Sequence, residues 1–149
     1  MPVQFFFNET HNNLRNRTAL KAFIGQIFTR KKKKLISLHY IFCTDQFLLD
    51  INRRFLKHDF YTDIISFDLS DKMESTEGEV YISTERLMDN AKLNNVPLQL
   101  ELHRLLFHGA LHLCGYKDKS KKDKLEMTKE EDRLLELYFS KCSTWKTLV

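Results

Sequence analysis

A chain of 149 residues that is 42% hydrophobic and carries 12 Phe has the length of one domain and enough apolar side chains to fill one core. The start, Met1 to Asn8, holds neither a basic stretch nor a long apolar run, and no segment approaches the roughly 18 apolar residues of a membrane span, so a cytoplasmic protein is expected and a membrane one is not. A net charge of +4 is milder than a dedicated nucleic-acid-binding domain carries, and Cys43, Cys114 and Cys142, odd in number and without a Cys-x-x-Cys pair, indicate neither a disulfide framework nor a thiolate zinc site.

In chain order, Val3 to Phe7 reads as a short buried strand, and Leu14, Leu20, Phe23, Ile24, Ile27 and Phe28 recur at helical spacing. The basic run Arg30 to Lys34 ends that helix; it can grip phosphates or form a solvated turn, and the sequence weighs the two evenly. Leu35 to Phe42 alternates as a second strand requires. Thr44 caps a helix whose apolar stripe is Phe47, Leu48, Ile51 and Phe55 and which ends near Lys57. Asp63 to Leu69 and Glu79 to Ile82 are strands joined through the polar loop Ser70 to Gly78 as an antiparallel hairpin. Ser83 or Thr84 caps a helix carrying Leu87, Met88 and Ala91, and Pro97 opens the next, Leu98 to Cys114, which is apolar almost all round and so belongs in the middle of the domain. Thr128 and Glu131 form a capping-box pattern opening a last helix that faces the core through Leu134, Leu135 and Tyr138. The order β-α-β-α-β-β-α-α-α predicts one α+β domain over 1–149, a small mixed sheet of about four strands covered by about five helices, with no internal repeat.

The chemistry sits at the end of the central helix. His108 and His112 are four apart, so their imidazoles leave one helix face about a turn apart, the spacing zinc sites use. Gly115 can take the left-handed conformation that stops the helix and lets Asp118 swing back to the same face. The pattern His-x3-His-x2-Gly-x2-Asp departs from the elongated zinc-protease motif at two positions only. One is Gly109, where a protease carries its glutamate base, and this disfavours a peptidase. The other is Asp118 in place of a histidine; two His and one carboxylate with an open position is a known catalytic set, which makes His108, His112 and Asp118 the expected ligands of one Zn2+, although ferrous iron suits the same set. A bare His-x3-His is more often core or surface, and the added Gly and Asp reverse that balance. Glu101 shares the stripe of the two histidines, either as an acceptor for a ligand ring or as an exposed first-turn glutamate. Cys114 faces away from His112 and reads as packing; His11 and His39 have no partner pattern and read as structural.

The segment His-Gly-Ala-Leu-His-Leu-Cys-Gly-Tyr, 108–116, resembles the signature of the YbeY family, bacterial metal-dependent endoribonucleases that act in ribosomal RNA maturation. The resemblance extends to Ile51-Asn52, to Asp59 through Phe67 and to Gly78 through Ile82, and covers most of the chain from about residue 35 onward. It implies an α+β fold, metal ligands at His108, His112 and Asp118, cleavage of single-stranded RNA in 16S rRNA 3′ end maturation and ribosome quality control, and ribosomal RNA and the small ribosomal subunit as partners. Two departures stand out. The family usually ends its signature Gly-Tyr-Asp-His, where this chain has Gly-Tyr-Lys-Asp, and its functional arginine aligns with Leu56. Arg53, Arg54, Lys57 and His58 are near enough in sequence to replace that charge, and Lys57 and His58 join His108 and His112 as catalytic candidates, against the alternative that they are solvated helix-end residues. The rival from another class is a non-catalytic ribosome assembly factor whose metal is structural.

Overall fold

In the computed structural model, which describes residues 1–71 and 75–141, the apolar runs become strands β1 (Val3–Phe7), β2 (Lys34–Cys43), β3 (Ile64–Asp68) and β4 (Ser75–Ser83). The periodic segments become helices α1 (Arg17–Arg30), α2 (Asp45–Ile51), α3 (Thr84–Leu93), α4 (Leu98–Leu113) and α5 (Lys121–Lys141). The sheet order is β1-β2-β4-β3, with β1, β2 and β4 parallel and β3 antiparallel to β4. This is the mixed four-strand sheet with five helices expected of an α+β domain. Among the described residues no helix is long and apolar enough to cross a membrane. Cys43 and Cys114 are free thiols, and Cys142 lies outside the described residues.

Alternation along β4 divides the core between the two faces of the sheet. Val80 and Ile82 join Leu38, Tyr40 and Phe42 in the large cluster with α1, α4 and α5. Tyr81, with Ile65 and Phe67 of β3, packs on the other face against Leu48 and Ile51 of α2. The central helix α4 lies directly on the sheet: the Tyr40 hydroxyl donates to the Leu106 carbonyl at 2.7 Å, and a Cβ at Gly109 would lie 2.8 Å from Val80 Cγ1. Gly109 is therefore glycine because the helix backbone presses on a β-branched side chain of a central strand, and a glutamate there would be driven into the sheet.

Three elements differ from the sequence expectation. Strand β4 begins at Ser75 rather than Glu79, because parallel pairing with β2 from Lys34 onward recruits the polar residues 75–78 into the ladder. The stripe on α2 breaks after Ile51, where the backbone widens into a π-helical turn (Asn52–Leu56) and Phe55 emerges 65% exposed instead of buried. Helix α5 starts at Lys121, not at Thr128. Ser120 is the operative cap: its hydroxyl accepts from the Asp123 amide at 3.0 Å, while the Asp123 carboxylate accepts from the Ser120 amide at 3.4 Å. Thr128 and Glu131 thus lie inside the helix. Thr44 and Ser83 do cap α2 and α3, accepting from the amides of Phe47 and Arg86, each at 3.1 Å.

The basic run after α1 is partly committed to structure. Lys31 pairs with Glu130 of α5, donates to the Tyr116 hydroxyl at 2.8 Å and lies 4.9 Å from that ring, so it ties α1 to α5 rather than standing free for a phosphate.

Candidate functional site

One stripe of α4 faces a cavity of about 630 Å³ through Glu101, Arg104, His108 and His112. The end of the π-helical turn and the segment that follows it line the cavity with Leu56, His58 and Phe60, and Asp118 and Lys119 line it as well. Gly115, at φ 104°, ends α4 as expected: its amide donates to the His112 carbonyl at 3.1 Å and the Tyr116 amide to the Leu111 carbonyl at 3.0 Å. The reversal brings Asp118 Oδ2 to 3.9 Å from His108 Nε2.

Both histidines are held by their Nδ1 atoms. His108 Nδ1 lies 2.6 Å from Glu131 Oε2, and His112 Nδ1 lies 3.2 Å from the Tyr116 carbonyl. Neutral imidazoles so held carry the proton on Nδ1 and leave Nε2 unprotonated, the state a metal-binding histidine needs. Glu131 is itself buried and fixed, since Arg104 Nη1 donates to its second oxygen at 3.0 Å and Arg104 Nη2 reaches Asp132 at 2.8 Å. Burial works to lower the His108 pKa, but the hydrogen bond and charge of Glu131, with Asp118 and Asp63 beyond, outweigh it and raise the pKa. Burial is also the first cause of the raised Glu101 pKa, only partly offset by Arg104.

The donor types fit zinc or ferrous iron, and the orientation of both rings fits as well. The set is not closed: among the described residues no group of three His, Cys, Asp or Glu side chains as placed can hold an ion. Ligand atoms on one tetrahedral zinc lie about 3.3 Å apart. The separation of His108 from Asp118 is longer, and the Asp118 side chain is 48% exposed.

His108, His112, Asp118 and His58 all line the cavity. Lys57 does not; it ends the π-helical turn at φ 56° and is exposed. Glu101 is neither an exposed first-turn residue nor the acceptor of a histidine proton, being 5% exposed in the cavity wall while Glu131 takes the acceptor role. Sequence reasoning missed Glu131 because the capping-box pattern placed it at a helix start, and no local spacing links it to His108. Arg104 was within reach, since it lies one turn before His108 on the same stripe. His103 faces the core, with Nδ1 2.6 Å from the Gln99 carbonyl and its ring stacked on Tyr138. Cys114 is half-buried with its thiol pushed up to about 11, chiefly by burial, in keeping with packing. His39 rests on Ser37 and the edge of Phe6, and His11 against Phe7, as structural residues do.

Fold and cavity together define an α+β protein with a histidine and carboxylate cleft between its central helix and an edge strand. The family profile described as Endoribonuclease YbeY matches residues 5–138, and the chain belongs to the YbeY family. It is similar to the Endoribonuclease YbeY of Cytophaga hutchinsonii, 47% identical over 135 residues that cover 91% of this chain and 94% of that protein. It is 41% identical to the Endoribonuclease YbeY of Flavobacterium psychrophilum over 91% of this chain and 96% of the relative. A solution structure of a protein from Thermotoga maritima shares the fold, with a TM-score of 0.64 at 21% identity over 97% of this chain and 92% of that one.

Proposed function

We propose that this chain is a single-strand-specific metallo-endoribonuclease that binds one Zn2+ through His108, His112 and Asp118 and acts in the cytoplasm on ribosomal RNA of the small subunit, in 16S rRNA 3′ end maturation and ribosome quality control. The observation that carries the reading is the pair of histidines one turn apart, each with Nδ1 engaged and Nε2 left for the cavity that Asp118 shares. The relatives' name, endoribonuclease, supports the substrate class.

In this reading a bound divalent ion supplies Lewis-acid activation at the scissile phosphodiester. The protein's own groups do the rest. Glu131 keeps the Nδ1 proton of His108 and fixes the plane of its ring. Arg104 holds Glu131 in place and sets a positive charge in the cavity wall, while Lys119, with no ion-pair partner among the described residues, and His58 lie where they can offset charge developing on a phosphate. Lys57 serves from outside the cavity, toward a neighbouring phosphate of the strand.

The test is cleavage of defined single-stranded and structured RNAs by zinc-loaded protein, beside elemental analysis of the purified chain. Loss of cutting in folded His108→Ala and His112→Ala proteins supports the proposal. Full activity in either refutes it, and metal-dependent melting without any cleavage points to the assembly-factor reading.

A further inference from the structure

The segment after α2 carries large apolar side chains where a folded domain ordinarily hides them. Phe55 is 65% exposed, Leu56 40%, Phe60 56% and Tyr61 47%, all within seven residues. The segment is tied down from below: Asn52 Nδ2 donates to the Phe60 carbonyl at 2.8 Å, and Arg53 pairs with Asp59 across the loop. Holding aromatic rings out in water on a braced loop has a free-energy cost that a covering ligand would relieve.

The character of the patch says what covers it. The His58 ring lies parallel to that of Phe60, with centroids 5.1 Å apart and planes 19° apart, and both line the cavity that holds His108 and His112. Exposed Arg54 and Lys57 interleave with the rings, and the Arg86 guanidinium, whose charge is already paired with Asp45, sits 4.9 Å over Tyr61. Planar faces interspersed with cations, opening onto a cavity lined by Arg104, Lys119 and the histidines as well as by carboxylates, are what a single nucleic-acid strand meets in sequence-tolerant binding, bases stacking while phosphates pair with cations. An apolar protein segment would call for a groove without the charges, and duplex RNA would bury its bases away from the rings.

We infer that the loop 55–61 is a base-stacking rim, in which Phe60, backed by His58, receives the unpaired nucleobase adjoining the phosphate that enters the cavity. The inference deepens the endoribonuclease reading and rests on it for the identity of the strand. Stacking makes the rim tolerant of base identity, and it selects single strands because only an unpaired base can offer its face.

The experiment uses metal-free protein, so that binding is read without cleavage, and a short single-stranded RNA carrying one 2-aminopurine, beside the same strand with an abasic site at that position. Wild-type protein is expected to quench the fluorophore and to bind the base-bearing strand more tightly than the abasic one. Phe60→Ala and Phe60→Leu should each weaken the base-bearing strand by roughly tenfold and leave the abasic strand unchanged, whereas Phe60→Trp should keep the preference. Phe60→Leu separates stacking from mere apolar contact, and because the side chain is exposed all three variants should melt as wild type does. Equal binding of the two strands by wild type, or full preference in Phe60→Leu, overturns the inference. The nuclease reading fails separately: a rim that prefers bases on a zinc-loaded protein that never cuts RNA leaves the stacking site standing and removes the reaction.

Discussion

At the scale of single residues, Glu131 has the largest consequence for the site. Among the described residues it is the one carboxylate of α5 that pairs with His108, and Arg104 occupies its other oxygen. Glu131→Ala is expected to weaken zinc binding by about 10- to 100-fold, measured by competition with a chromophoric chelator, while the circular-dichroism spectrum stays folded. In the metal-free protein the same change should move the His108 ring toward the Nε2-protonated tautomer, visible in its nitrogen chemical shifts; an unaltered tautomer would mean that Glu131 does not orient the ring. Gly109 shows the opposite kind of constraint. In the sequence it reads as the missing base of a protease, yet its hydrogen faces Val80, so the residue is set by packing and not by reaction. Gly109→Ala should cost about 1–3 kcal/mol in urea unfolding through overpacking, and Val80→Ala in the same chain should recover part of that loss.

Among elements, the start of α5 decides what its inner face presents. With Ser120 as cap, the helix gains two turns before the point at which the Thr128 pattern would begin it, and Glu130 and Glu131 fall in its middle, toward Lys31 and Arg104. Removing the cap in Ser120→Ala is expected to cost about 0.5–2 kcal/mol, whereas Thr128→Ala, if the hydroxyl caps nothing, should be close to neutral; equal losses would contradict the boundary described. The π-helical turn after α2 has a comparable effect on the other wall. It ends the regular stripe, turns Phe55 outward and delivers Leu56, His58 and Phe60 to the cavity mouth.

For the molecule as a whole, stability should fall on acidification because of His103. Burial, resisted only by the hydrogen bond to Gln99, lowers its pKa to about 4 in the fold. The folded state therefore demands the neutral ring. Its contribution is complete above the unfolded value near 6.5 and is lost as pH falls from there to about 4, amounting to about 3 kcal/mol at most. His103→Phe should flatten stability across that window, and parallel losses in variant and wild type would assign the acid sensitivity elsewhere. Two other groups act in different ranges or with the other sign. Glu130, lowered to about 2 mainly by Arg133, gives up its contribution only below the ordinary carboxylate range. His108, with its raised pKa, favours the metal-free fold at low pH and loses that contribution as pH rises through its folded value.

Local pattern carried much of this. Period-2 and period-3.6 apolar spacing placed four strands and five helices, Thr44 and Ser83 marked their helix starts by hydroxyls within reach of the amides, and the run from His108 to Asp118 brought the expected ligands to one cavity because helix periodicity and a left-handed glycine act within a few residues. Tertiary structure decided what depends on distant partners. The parallel ladder with β2 lengthened β4, the sheet beneath α4 accounted for Gly109, and docking of α5 paired His108 with a glutamate that no sequence spacing connects to it. The physical reason is one of range: capping and periodicity are energies between neighbours along the chain, whereas register, close approach and the partner of a buried imidazole are settled only when remote segments compete for the same space and the same hydrogen bonds.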